Sequence, residues 1–392
     1  MRTMNFIRFF KEYGEVDLLY LTPESKQRDA SGPFRKEKCI LPSDEGVNTN
    51  GKKGDTGRNR FRERWKRMAE RRPSILTEWS PKAAKEMVSF LTDEKYDIIL
   101  CRYIHNSFPF FQLPVEIKKR IIIDLDDSYS DTNFKMLAAK PSDPFMIFKY
   151  HIERHLVANY QKRCLNFGAV LVCSEKDYAE ISTNRKFKNL FVIPNSFPIN
   201  PMSEQLKSNG YKNRNVFLFV GTLNYGPNFN GIVWFTEKIF PEIQKKYVSS
   251  KLLIVGRDPD EKLISWCSRF PDIELHANVP DVGPFYERCG IVVVPILSGG
   301  GTRIKILEAA VARRPVLSTP FGAYGLDVTD GKDIMLFTDR DSFMEKYNKL
   351  VEINVYGNLA HALKNMVESK YSIESFNKKT ENVLNYITGR KG

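Results

Sequence analysis

The chain has 392 residues, 42% of them hydrophobic and 12% aromatic, and a net charge of +13. That composition can fill packed cores and excludes a wholly disordered chain, and the length suits two domains of roughly 100–200 residues each. No apolar run nears the roughly 18 residues needed to span a bilayer. The N-terminus lacks the apolar core and cleavage site of a secretory signal, and the six scattered cysteines form no CxxC pair, so they read as reduced cytosolic thiols.

In chain order, residues 1–13 read as a helix and VDLLYL (16–21) as a strand, followed by a polar, Gly-rich stretch over 43–59. Residues 52–72 then hold ten Lys/Arg against three Asp/Glu, more than half of the net charge. Such a run is either a solvated face or an attraction to an anionic membrane, where each cation contributes about 1 kcal/mol. Phe61 and Trp65, four apart, would share a helix face and either pack inward or dip into an interface. No helix-turn-helix, zinc-finger or RNA-recognition signature accompanies the charge, so nucleic acid is not the expected partner. YDIILC (96–101), KRIIIDLDD (119–127), AVLVCS (169–174) and NLFVIPN (189–195) read as strands, and 145–167 as a long helix. HIERH (151–155) is not HExxH and reads as helix surface.

A polar, turn-rich stretch at 198–214 reads as a linker between a domain over 1–197 and a second over 215–370. In the second, strands at 216–221, 251–256, 273–275, 291–295, 315–319 and 333–337 alternate with helices at 227–243 and 303–314. That alternation predicts an α/β domain with a parallel sheet, whose ligands bind at the carboxyl ends of the strands. Residues 371–392 are expected to form a C-terminal helix that packs back on the first domain.

The sharpest constellation is SGGGTRIKILEAA (298–310), with three glycines between a buried strand and a helix. Glycine allows close approach of the backbone to a ligand, and the helix N-terminus offers unpaired N–H groups. Arg303 and Lys305 place two cations against the positive end of the helix dipole, which an anion would explain. A Gly-rich turn with a solvated Arg/Lys pair is the competing reading. A second loop, GTLNYGPN (221–228), presents Gly221 and Thr222 after a strand, either against a phosphate or as a plain turn.

These segments, with LLIVGRDP and HANVPDVGPFYERCGIVVVPILSGGGTRIKILEAAVARRPVLSTPFGAYGL, resemble the group 1 glycosyltransferases (family 4) over about 215–370. The first half is similar more weakly, through FKYHIERHLVANYQKRCLNFGAVLVCSEKD and NLFVIPNS. The resemblance implies the GT-B fold, two Rossmann-like domains facing a cleft, and retaining transfer of a sugar from a UDP- or GDP-sugar, with no further cofactor and no metal. It places Gly221, Thr222, Gly299, Gly300, Gly301 and Thr302 against the donor, and Arg303 and Lys305 on the leaving diphosphate. Glu308 falls on the ribose hydroxyls and the backbone near Val279 on the base. Two departures stand out. Gly300 occupies the place of the first Glu of the family's paired-Glu motif, and the chain begins at a helix where the family has a strand and Gly-rich loop before it. No basic residue follows the first donor loop around Asn224, a place Arg257 would have to fill.

In the first half, Asp124, Asp126 and Asp127 end a buried strand. Asp126 or Asp127 would orient an acceptor hydroxyl, in the same cleft as Arg102 and His105. The competing readings are a metal-binding Asp-x-Asp, a helix cap, and a haloacid-dehalogenase-like phosphohydrolase with Asp124 as nucleophile and Asp126 as acid/base. A non-catalytic nucleotide-binding relative is a further alternative. The expected protein is a cytoplasmic glycosyltransferase, peripheral to the inner face of the membrane, acting on a saccharide or lipid-linked acceptor in surface polysaccharide or glycoconjugate assembly.

Overall fold

The computed structural model describes residues 2–21, 34–40, 73, 74, 76, 79–126, 144–183, 185–196, 210–298 and 303–390. The basic stretch at 52–72, Asp127, Gly299, Gly300, Gly301, Thr302 and most of the expected linker lie outside them. The chain divides into two compact units, Met1–Ile193 with Asn377–Gly392, and Pro194–Phe376.

The first unit opens with helix α1 (Arg2–Lys11), whose Phe6 and Phe9 are buried. Strands β1 (Leu18–Leu21) and β2 (Glu37–Ile40) form a parallel pair. Sequence patterning missed β2, because EKCI carries two charges and only Ile40 is buried. It also missed α2 (Pro81–Asp93), which has clear signals: Ser80 accepts a hydrogen bond from the Ala83 N–H at 3.1 Å, and Pro81 starts the first turn. Ala83, Met87 and Leu91, four apart, form its buried stripe. The main sheet is parallel, in the order β3 (Ile99–Arg102), β4 (Ile121–Asp124), β5 (Ala169–Val172), β6 (Leu190–Val192). Every residue of β4 and β5 is buried, which is why these strands read as unbroken apolar runs. Helices α3 (Pro144–Cys164) and α4 (Glu175–Ser182) make the connections around β5.

The second unit holds a six-stranded parallel sheet: β7 (Val216–Thr222), β8 (Lys251–Arg257), β9 (Ile273–Ala277), β10 (Ile291–Val294), β11 (Val316–Ser318) and β12 (Met335–Leu336). Their order across the sheet is β9-β8-β7-β10-β11-β12. This is the Rossmann arrangement, in which the chain leaves the first strand in one direction and returns to its other side. The switch point therefore lies between β7 and β10, and the two loops singled out from the sequence follow those two strands.

The expected helix at 227–243 is two helices, α5 (Gly226–Lys238) and α6 (Phe240–Lys246). Pro241 has no N–H to continue the first helix and instead opens the second, so the chain breaks at Ile239. The helix at 303–314 is α9 (Ile304–Val311), after α7 (Glu261–Cys267) and α8 (Gly283–Arg288). It ends early because Arg313 takes a left-handed conformation, with φ 52°. Helices α10 (Arg340–Leu350) and α11 (Ile353–Tyr371) complete the unit, and α12 (Ile373–Thr388) leads the chain back into the first.

Two glycines bring the backbone close at the switch point. Gly231 on α5 lies against β10's exit, where an added Cβ would sit 2.6 Å from the Pro295 carbonyl oxygen. Gly256 on β8 pairs with Gly221 on β7, and a Cβ at Gly256 would collide with the Gly221 carbonyl oxygen. Backbone cannot yield as a side chain does. Gly256→Ala is expected to cost about 1–3 kcal/mol, as overpacking does, and to lower the melting temperature by several degrees in a scanning calorimeter.

Candidate active site

The site is built on the carboxyl ends of β7 and β10. The β7 exit passes through Gly221 and Thr222 and turns at once into α5. Asn228, in the first turn of that helix, folds back over the loop: its Nδ2 donates to the Thr222 carbonyl oxygen at 2.7 Å. Its Oδ1 accepts from Lys305 Nζ at 3.1 Å. The same ammonium lies 4.0 Å from the centroid of the Phe219 ring. A Cβ on Gly221 would sit 3.1 Å from Lys305 Nζ and 2.8 Å from Asn228 Nδ2. Glycine is thus required for the cation to lie directly on the backbone of the first loop. The structure brings Gly221, Thr222 and Lys305 together, 84 positions apart in the extreme.

Arg303 is the N-cap of α9 and is buried; its Nη2 donates to the Phe321 carbonyl oxygen at 3.2 Å and its guanidinium lies 5.8 Å from the Phe321 ring centroid. Lys305, two residues on, is half-buried. Burial, and then the Arg303 charge, pull its pKa down to about 7, while Glu308 acts the other way. Two cations thus share the start of α9, and the Arg303 charge disfavours that of Lys305.

Glu308 sits one turn beyond Lys305. Its Oε2 accepts from the Tyr286 hydroxyl at 2.9 Å. Burial raises its pKa, with the Tyr286 hydrogen bond and Lys305 opposing. Tyr286 is itself anchored, since the Nε of buried Arg314 donates to its carbonyl oxygen at 2.8 Å. Val279 follows β9 at the same end of the sheet, two strands from β7, and packs partly buried against the core. Asn228, Tyr286, Phe219 and Arg314 carry no role in the sequence reading. Asn228 had a signal: a buried amide one turn into a helix must satisfy both its ends.

In the first unit, the carboxyl ends of β3, β4 and β5 carry a second charged cluster. Asp124 is fully buried and takes both Nε and Nη2 of Arg2, at 2.9 and 2.8 Å, together with Nη1 of Arg102. Arg102 Nη2 donates to Asp126 Oδ2 at 3.1 Å, and Cys173 Sγ lies 3.3 Å from Asp126 Oδ1. Arg2 Nη1 also donates to the Ile193 carbonyl oxygen at 2.6 Å. The guanidinium of Arg102 lies 4.4 Å over the Tyr103 ring, which stacks on His105 at 5.2 Å. Burial lowers the His105 pKa, keeping the ring neutral near pH 7. Arg102, Asp126 and His105 are thus neighbours, and Tyr103 and Asp126 hold left-handed backbones, φ 70° and 61°. Asp124 is clamped between two arginines with no exposed surface, which removes it as the nucleophile of a phosphohydrolase. Among the described residues, no group of three or more His, Cys, Asp or Glu is placed to hold a metal ion, and no helix is long and apolar enough to cross a membrane.

Residues 214–352 match the family model described as "Glycosyl transferases group 1". The structure is similar to sucrose-phosphate synthase from Thermosynechococcus elongatus, with a TM-score of 0.64 and 14% identity, over 98% of this chain and 93% of that one. It is also similar to a TarM variant of S. aureus in complex with fondaparinux, alpha-GlcNAc-glycerol and UDP, with a TM-score of 0.56 and 18% identity, over 77% of this chain and 59% of that one. A Klebsiella pneumoniae relative, an "Uncharacterized 44.6 kDa protein in cps region", is 25% identical over 264 residues. That alignment covers 64% of each chain, so this protein spans less than two thirds of that relative's length. The fold is GT-B, with two Rossmann-like domains. The segment that carries the switch-point site is the one that matches the group 1 glycosyltransferase model.

Proposed function

We propose that the protein moves a sugar from a nucleoside-diphosphate donor, with retention of anomeric configuration, to a saccharide or lipid-linked acceptor in surface polysaccharide or glycoconjugate assembly. The observation that carries this reading is the meeting of Gly221, Arg303 and Lys305 around the switch point, an anion site built from backbone and two cations. The relative in a cps region supports the polysaccharide role. UDP is the first donor nucleotide to try, because TarM was crystallised with it.

The difficult step is breaking the bond from the anomeric carbon to the diphosphate. As that bond lengthens, its electron pair moves onto the phosphate oxygen. Arg303 and Lys305 neutralise the growing charge without moving, so the barrier falls. In front-face transfer the departing oxygen takes the acceptor proton as the new glycosidic bond forms, so no paired carboxylates are needed. Glu308, steadied by Tyr286, is placed for the ribose hydroxyls, and the backbone near Val279 for the base. On this reading Gly299, Gly300, Gly301 and Thr302 complete the phosphate cradle. Asp126 or Asp127, with Arg102 and His105, orients the acceptor. The basic stretch at 52–72 would hold the enzyme at the cytoplasmic face of an anionic membrane.

Titration with UDP and GDP tests the donor site. At 100 times its dissociation constant a ligand adds about 2.7 kcal/mol of stability, a melting shift of several degrees. The pH dependence carries a sign. A bound diphosphate favours the ammonium form of Lys305, so below about 7 the cation is already charged and binding is at full strength. Above that pH each complex must take up a proton, and affinity falls as pH rises, by up to about tenfold per unit. The Lys305→Ala variant is expected to lose that fall. A cooperatively melting wild type that neither nucleotide shifts would remove the donor site.

A further inference from the structure

The amide of Asn228 has work that neither the fold nor a simple helix start requires. It is buried in the first turn of α5 and spends both ends on the site: one on the Thr222 carbonyl, the other on the Lys305 ammonium. Those partners come from different elements at the switch point, the end of β7 and the first turn of α9. A helix N-terminus needs acceptors for its N–H groups, whereas here Asn228 donates to the preceding loop and accepts from a distant lysine. We propose that Asn228 is a positioning residue of the donor-diphosphate site, which turns the Thr222 carbonyl away from the phosphates and fixes the Lys305 ammonium over Gly221. This rests on the donor reading above.

The geometry has two consequences. A carbonyl oxygen left facing the phosphates would repel them, and Nδ2 holds the Thr222 oxygen at 2.7 Å instead. An ammonium on a flexible four-carbon stem would wander among rotamers, and Oδ1 anchors it 3.1 Å away on the face that Gly221 leaves open. Among the described residues, the other charged and titratable groups around Lys305 are Arg303, which opposes its charge, Glu308, which favours it, and the Tyr286 hydroxyl, 3.4 Å from the Lys305 carbonyl oxygen. Asn228 adds a neutral amide to this set. It favours the ammonium by hydrogen bonding without drawing it into an ion pair that a diphosphate would have to break.

The test is calorimetric titration of the full chain with whichever of UDP or GDP binds, across the neutral pH range. It compares wild type, Asn228→Ala, Asn228→Asp, Lys305→Ala and the Asn228→Ala/Lys305→Ala double variant. Asn228→Ala is expected to weaken binding roughly ten- to hundredfold, the worth of a hydrogen bond to a charged group. Its fall in affinity should begin at a lower pH than in wild type, because the ammonium has lost an acceptor. In Asn228→Asp the fall should begin at a higher pH, because a carboxylate holds the ammonium charged. In the double variant the Ala at 228 should add far less than it does alone, since its effect runs through Lys305. Opposite pH shifts in the two variants are beyond a merely structural residue. Wild-type affinity in Asn228→Ala, or a loss that adds fully to that of Lys305→Ala with an unmoved pH profile, overturns the proposal. If wild type binds neither UDP nor GDP while melting cooperatively, it is the donor reading that fails.

Discussion

Replacing Arg303 with alanine is expected to reduce sugar transfer by about 10²–10³, the usual loss when one preorganised group facing a developing oxyanion is removed. The guanidinium is buried at the N-cap of α9 and fixed to the Phe321 carbonyl at 3.2 Å, so on the proposed donor reading it would meet the leaving diphosphate without reorganising. Its removal also leaves that carbonyl without its guanidinium partner, a cost of about 1–3 kcal/mol if water does not replace it. Turnover and melting must therefore be read together. The expected result is a variant that still melts cooperatively, a few degrees low, with almost no transfer. Near-normal turnover in a folded variant would falsify the role of Arg303. A loss of turnover matched by loss of the cooperative melt would mean that its burial matters more than its charge.

Asp124→Ala in the first unit is expected to have the largest effect on stability. Asp124 has no exposed surface and holds Arg2 in a bidentate pair and Arg102 by a third bond. Taking away the carboxylate leaves two guanidinium groups in a low-dielectric interior without the anion they share. Removing one partner of a buried pair commonly costs about 3–5 kcal/mol. For a unit of this size that is a melting shift on the order of 10 °C. Urea or thermal unfolding measures it directly. A second variant, Asp124→Ala with Arg102→Met, removes one of the stranded cations and should recover part of the loss. A melt within a degree of wild type in the single variant would show that water or Asp126 satisfies both arginines. Because Arg2 reaches Asp124 from the second residue of the chain, the same clamp ties α1 to the ends of β4 and β6.

The parts of the fold legible in the sequence are those with a single dominant signal. Strands buried on both faces, such as IVVV in β10 and AVLV in β5, are apolar throughout and bounded by turns, so they need no partner to be read. The β2 strand has no such run, and its existence depends on the pairing with β1. The break at Ile239 was written in Pro241 but outweighed by an apolar stripe that continues across it, Phe235 to Ile243. The two glycine-bearing loops after β7 and β10 were legible because glycine after a strand and cations before a helix each oppose a local preference.

What the sequence determined by itself is the identity of the groups: glycines where the backbone must come close, Arg303 and Lys305 at a helix start, alternating strands and helices that force a parallel sheet. Only the tertiary structure decided which of them meet. The strand order puts β7 beside β10, and so Gly221 beside Lys305, across more than eighty residues of chain. It made Asn228 a clamp between the end of β7 and Lys305 of α9, gave Glu308 a tyrosine partner, and converted Asp124 from a candidate nucleophile into the buried counterion of two arginines. The physical reason is common to all four. Periodicity and spacing report what a residue is next to along the chain. Burial, pKa and hydrogen-bond partners depend on what lies across the sheet.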